Sequence, residues 1–245
     1  MSKPLRILVL FIGLGAAGSL AAHGQGLSNA AQAPAPGTVA PAADPEAAKK
    51  ATEWVAALNL RDAQKEAAIQ QVIATHLAAI RDYHNTHPYT ETPAGINPAT
   101  GRPLSVMDRT LITVSAMPKS IHDNLMAGLR QHLTPAQVEA VLDQYTIGKV
   151  AFTLNGYKSI VPDLTPTEEA VIVANLKQAR EQAVDFKSMK EISAVFEIYK
   201  TKNEDYLNTH GRSWRELFKA YVDAANAKKA ADKARAATAP GSSPK

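Results

Sequence analysis

The chain has 245 residues, no cysteine and a formal net charge of +4. Without cysteine it can hold no disulfide, no thiolate nucleophile and no lipid on an N-terminal Cys. Lys3 and Arg6 precede the first acid, Asp44, so removing their two charges leaves +2 on the rest. That near-neutral balance argues against the clustered basic face of a dedicated nucleic-acid binder.

The N-terminus reads as a cleaved secretory signal over residues 1–24. Lys3 and Arg6 form its basic region, Ile7 to Leu20 its apolar run, and Ala22-His23-Gly24 its small-residue cleavage site. The run is too short to span a bilayer comfortably, so no stable membrane insertion is expected after cleavage. The expected location is periplasmic or secreted. Residues 25–43, with Pro34, Pro36 and Pro41, read as a flexible Ala/Pro-rich spacer. A single helical domain is expected over residues 44–226, followed by a frayed basic tail over 227–245.

Asp44-Pro45 opens a first helix carrying Trp54, Val55 and Leu58. A second runs from near Arg61 to about Tyr83. Its residues Ile69, Val72, Ile73, Leu77 and Ile80 recur at three- and four-residue steps and share one face. From His87 to Pro118 the pattern fails. Pro88, Pro93, Pro98 and Pro103 recur every five residues, so one long Pro-rich loop is expected. A third helix, about Lys119 to His132, offers Ile121, Leu125 and Leu129 to the core.

Leu133-Thr134-Pro135-Ala136-Gln137 and Leu164-Thr165-Pro166-Thr167-Glu168 are twin helix starts. In each, Thr accepts from a free backbone N–H, Pro sits where no donor is needed, and Gln or Glu reaches back. The first opens a helix with Val138, Val141, Leu142 and Tyr145. Between the two, Val150, Phe152 and Leu154 alternate with small or polar residues, and Asn155-Gly156 supplies a turn. This segment reads as a short irregular or extended piece crossing the bundle, with a brief helix from Asn155 onward as the other reading.

The second start opens a helix with Ile172, Leu176, Ala179, Ala183 and Phe186 on one face. Ser188-Met189-Lys190-Glu191 starts another, with Ile192, Phe196, Tyr199 and Tyr206, ended by His210-Gly211. Ser213-Trp214-Arg215-Glu216 opens the last, expected to bury Leu217, Phe218, Tyr221 and Val222. The fold class is therefore all-α: a bundle of antiparallel helical hairpins with one Pro-rich loop and one irregular segment.

Signals for chemistry are sparse. His84 and His87 are three apart near Asp82 and Glu91, but His87 precedes Pro88 beyond the helix end. Helix capping suits them better than metal binding, and Asn208-Thr209-His210 repeats the local wording at another helix end. His122-Asp123 and Asp108-Arg109 are adjacent pairs, whose side chains diverge by about 100° on a helix. Glu168 and Glu169 sit in a first turn, where acids suit the helix dipole. G-x-S-x-G, H-E-x-x-H, phosphate loop and dinucleotide fingerprints are absent. No catalytic residue, metal or cofactor is assigned. The candidate ligand-binding residues are Tyr145, Lys149, Asn155, Tyr157 and Trp214. Aromatic faces beside amide and ammonium groups are what a sugar needs, with its apolar C–H faces and rim of hydroxyls; the other reading, and the favoured one, packs Tyr145 and Tyr157 in the bundle with their hydroxyls capped.

Leu133 to Val138, Tyr145-Thr146-Ile147-Gly148-Lys149-Val150, Asn155-Gly156-Tyr157, Ile160 to Thr165 and Ala179 to Asp185 together resemble the domain-of-unknown-function family 3826. The resemblance spans roughly Ala47 to Gly211. It implies a secreted bacterial protein, described as sugar-binding and associated with polysaccharide use, with oligosaccharide or polysaccharide as partner. It carries no catalytic or binding residues. Leu133-Thr134-Pro135-Ala136-Gln137 is also similar to the L-T-x-x-Q element of small periplasmic helical stress chaperones. The leading expectation is a secreted, non-catalytic carbohydrate-binding or polysaccharide-utilisation accessory protein. The alternatives are a periplasmic chaperone-like or protein-binding scaffold, and a polysaccharide hydrolase or lyase with an unrecognised site.

Overall fold

A computed structural model describes residues 44–238 except Ala99. The expected signal segment, residues 1–24, and spacer, residues 25–43, lie outside the described residues, as does the end of the tail beyond 238. Among the described residues the chain is helical apart from one two-stranded hairpin.

The helix starts follow local capping chemistry. Helix α1 (Pro45–Ala56) begins at Asp44, whose carboxylate accepts from the Glu46 and Ala47 amides. Helix α2 (Ala63–Thr86) begins the same way at Asp62. Between them Asn59 and Arg61 take positive φ and turn the chain back. Helices α5 (Pro135–Thr146), α7 (Pro166–Ala183) and α8 (Met189–Thr209) all open with reciprocal capping boxes, at Thr134/Gln137, Thr165/Glu168 and Ser188/Glu191. Each box satisfies backbone donors that a helix end leaves free. Helix α4 spans Lys119–His132.

The Pro-rich stretch differs from the expected loop. It contains a 3-10 turn (Tyr89–Glu91), a hairpin pairing β1 (Ile96–Asn97) with β2 (Arg102–Pro103), and a helix α3 (Val106–Ser115). A capping box at Ser105 and Asp108 starts α3. Arg109 then ties the turn to that helix, donating to the Thr92 carbonyl at 2.8 Å and standing 5.1 Å over the Tyr89 ring.

The irregular segment is corrected outright: it is helix α6 (Lys149–Ile160). Ile147 and Gly148 both adopt left-handed backbone, at φ 51° and 63°, which breaks the chain sharply and lets a new helix start. Val150, Leu154 and Tyr157 then fall at i, i+4 and i+7, one helical face against the core, while Phe152 is 76% exposed. The apparent two-residue alternation was half of a helical period.

The last helix, α9 (Trp214–Thr238), is a second correction. Leu217 is half-buried, but Phe218, Tyr221 and Val222 are exposed at 46%, 41% and 36%. Trp214 packs near Tyr157, and from Phe218 to Arg235 every side chain is exposed. The helix docks by its first turn and continues past residue 226, leaving Phe218, Tyr221 and Val222 exposed among the described residues.

Two apolar cores result. The first joins α1, α2, α4 and α5 around Val55, Ile69, Ile73, Leu125, Leu129 and Val141. The second joins α6, α7 and α8 around Tyr157, Ile172, Leu176, Phe196 and Leu207. They meet where α7 ends: Ala183 belongs to the second core and Val184 to the first.

Candidate functional site

The five residues named from the sequence do not gather at one place. Tyr145 lies in the first core, its ring 4.7 Å from Trp54 and its hydroxyl 3.1 Å from His76 Nδ1. Tyr157 is 2% exposed in the second core and donates its hydroxyl to the Lys200 carbonyl at 3.1 Å. Burial raises both phenols above their ordinary range. Trp214 stands 5.3 Å from the Tyr157 ring, and Lys149 lies 5.5 Å over the Phe196 ring. Asn155 is exposed on α6, and its backbone carbonyl accepts from the Ser159 hydroxyl. Tyr157, Lys149 and Trp214 thus share the second core, apart from Tyr145.

A groove of about 350 Å³ opens elsewhere, between α1, α2, α5 and the start of α8. Tyr145 and the half-buried Trp54 line it, with Phe186 and Met189 from the α7–α8 connection and the first residue of α8. Its rim is charged. Arg81 pairs with Asp44 and, at 2.6 Å, with Asp82; Lys50 pairs with Glu46 at 2.9 Å. Gln144 and Lys187 complete the polar lining. The periodicities put Trp54 and Ile80 on core-facing stripes. What sequence could not supply was that α1 and the start of α8 stand far enough apart to leave a gap.

Sequence reasoning missed the polar network beneath this groove. Asp185 bonds His76 Nε2 at 3.1 Å through one oxygen and His122 Nδ1 at 3.0 Å through the other. Burial pushes the Asp185 carboxyl up, yet the two histidine bonds outweigh it and hold it below its ordinary value. A signal existed: His76 falls on the buried stripe of Ile69, Ile73 and Ile80, and a histidine there needs partners. Nearby, Arg180 is buried between α7 and α5 and pairs with Asp143 and Glu139, both at 2.7 Å.

The remaining histidine motif caps helices. His87 stacks on Tyr83 at 4.0 Å and ends α2, and His210 lies 4.1 Å from Tyr206 and ends α8. In both, the ring Nδ1 lies within 3.1 Å of the tyrosine carbonyl, one of the acceptors a helix end leaves free.

The family model described as "Protein of unknown function (DUF3826)" matches residues 45–227. The chain belongs to the DUF3826 family. The match runs from the first residue of α1 into α9 and covers the residues of both cores. No curated protein matches this DUF3826 chain. Among its described residues, no helix is long and apolar enough to cross a membrane.

Proposed function

We propose that this DUF3826 protein is an exported, non-catalytic carbohydrate-binding protein whose ligand lies in the groove between α1, α2, α5 and α8. The observation that carries the reading is Trp54 beside Tyr145 in a hollow of about 350 Å³ ringed by side chains that donate and accept. An indole face suits the C–H surface of a pyranose. Arg81, Lys50 and Gln144 offer donors to hydroxyls, and Asp44 and Glu46 offer acceptors. The volume is at the small end of ligand pockets, which favours one or two sugar rings over a long chain. Export rests on the signal pattern of residues 1–24, and the ligand class on the aromatic and polar pairing together with the description that goes with the family resemblance.

The test is a glycan array followed by calorimetry with plant-wall oligosaccharides. Trp54→Ala should weaken binding at least tenfold while circular dichroism stays helical. Substitution of the exposed Phe152 by Ala should leave binding unchanged. Folded protein that binds none of the glycans would defeat the reading.

A further inference from the structure

The polar seam between the two cores is built so that one histidine meets carboxylates on both sides. His76 does not. His76 places Nε2 3.1 Å from Asp185 and Nδ1 3.1 Å from the Tyr145 hydroxyl, so its second neighbour is a phenol and not a carboxylate. His122 presents Nδ1 to Asp185 at 3.0 Å and Nε2 to Glu181 at 3.7 Å. Only its imidazolium offers a proton to each. The two halves of this contact come from different parts of the fold. His122 stands on α4, in the first core, whereas Glu181 stands on α7, in the second, and Asp185 lies just past the end of α7. Asp185 follows Val184, the residue at which the chain crosses from one core to the other.

We propose that protonated His122 is a pH-operated latch: it holds the α7–α8 connection, residues 184–188, against α2 and α4, and its neutralisation loosens that seam while the second core stays closed.

The charges around it set the window. From α7 comes Glu181 and from the connection after it Asp185; from α4, Asp123 and Arg130, the latter 4.0 Å from Glu181. From α2 come His76 and His84, whose Nε2 lies 3.3 Å from the Asp185 carbonyl. Tyr145 faces the network from α5, and Lys187 and Glu191 act on His84 from the connection and α8. The Asp185 bond raises the His122 pKa; burial opposes it, and the negative charges of Asp185, Glu181 and Asp123 add to it. A raised value means that the stabilisation is complete below the ordinary histidine value of 6.5 and is lost as pH climbs through the higher folded value. His84 runs the other way. Burial lowers it, so its contribution is complete above 6.5 and falls only on acidification. Asp185, lowered, stays charged throughout the alkaline side. The Arg180 pairs with Asp143 and Glu139 also persist there and keep α5 on α7. Of these shifted groups, His122 is therefore the one that loses its contribution as pH rises above 6.5.

Hydrogen exchange on the full chain at pH 6 and pH 8.5, corrected for intrinsic rates, tests this. Protection of residues 184–188 and of α4 around His122 should fall about threefold to tenfold with rising pH, the direction that a raised histidine requires. Segments of α8 around Phe196 should not change. His122→Gln should give the low protection at both pH values. Glu181→Gln, a change at an exposed residue, should move the midpoint down by a few tenths of a pH unit. Flat protection in the native chain, a pH step surviving in His122→Gln, or an equal change in both cores would overturn the latch. Should His122→Gln fail to fold, NMR of the native chain decides instead. The Val184 and Phe186 amides must titrate with the His122 ring, and a different midpoint would overturn the proposal.

Discussion

Tyr145 and Tyr157 stand on consecutive helices yet close different cores: one hydroxyl meets His76 from α2, the other meets the Lys200 carbonyl on α8. Each Tyr→Phe change removes one buried hydrogen bond and should cost about 1 kcal/mol. Because the rings share no partner, the double variant should lose the sum of the two within about 0.5 kcal/mol. Urea denaturation of the two single variants and the double checks this. A strong coupling would mean that the cores are not separate.

Glu168 links the start of α7 to the turn after α8. It bonds Thr165 within its capping box and accepts from Arg212 Nε and Nη2, both at 2.8 Å. Arg212 chiefly, with the Thr165 bonds assisting against desolvation, holds its carboxyl down at about 2, against an ordinary 4.5. A depressed value stabilises above 4.5 and is lost as pH falls from there toward 2. Denaturation midpoints should fall across that window in the native chain and much less in Glu168→Gln, which begins lower.

Gly128 on α4 faces Val72 on α2. A Cβ added there would lie 2.7 Å from Val72 Cγ2 and 2.8 Å from Cγ1, and a β-branched side chain has little room to turn aside. Gly→Ala inside a helix ordinarily stabilises by up to about 1 kcal/mol. Here overpacking should prevail, with a net loss of about 1–2 kcal/mol. Val72→Ala in the same chain should recover most of it. Thermal melts of the two variants separate packing from propensity.

The outer part of α9 contributes little to the fold. From Phe218 to Arg235 its side chains are exposed. Removing residues 223–245 should shift the melting temperature by less than about 2 °C. Trp214→Ala, which strips an aromatic contact from Tyr157, should lower it by more. Scanning calorimetry distinguishes the two.

Helix identity was legible wherever a boundary carried its own chemistry. Thr134, Thr165 and Ser188 each satisfy free amides within four residues, so the starts of α5, α7 and α8 needed no tertiary information. The stripes of α2 and α7 were equally plain, since Ile69, Ile73 and Ile80, and Ile172, Leu176 and Ala179, are buried by period alone. Helix α6 was misread because Val150, Phe152 and Leu154 satisfy a two-residue period over a span too short to show the longer one; Tyr157 completes the helical set. The α9 face was misjudged for another reason: amphipathic spacing states which residues seek cover, not whether a neighbour reaches them.

Sequence alone determined an all-α, cysteine-free chain with the starts of α1, α5, α7 and α8, because capping and periodicity act over a few residues. The meeting of the cores at Ala183 and Val184, the gathering of His76, His122 and Asp185, and the hollow beside Trp54 were decided only by tertiary packing. Those contacts join groups from separate helices, and their geometry depends on how whole helices cross, which no local pattern encodes.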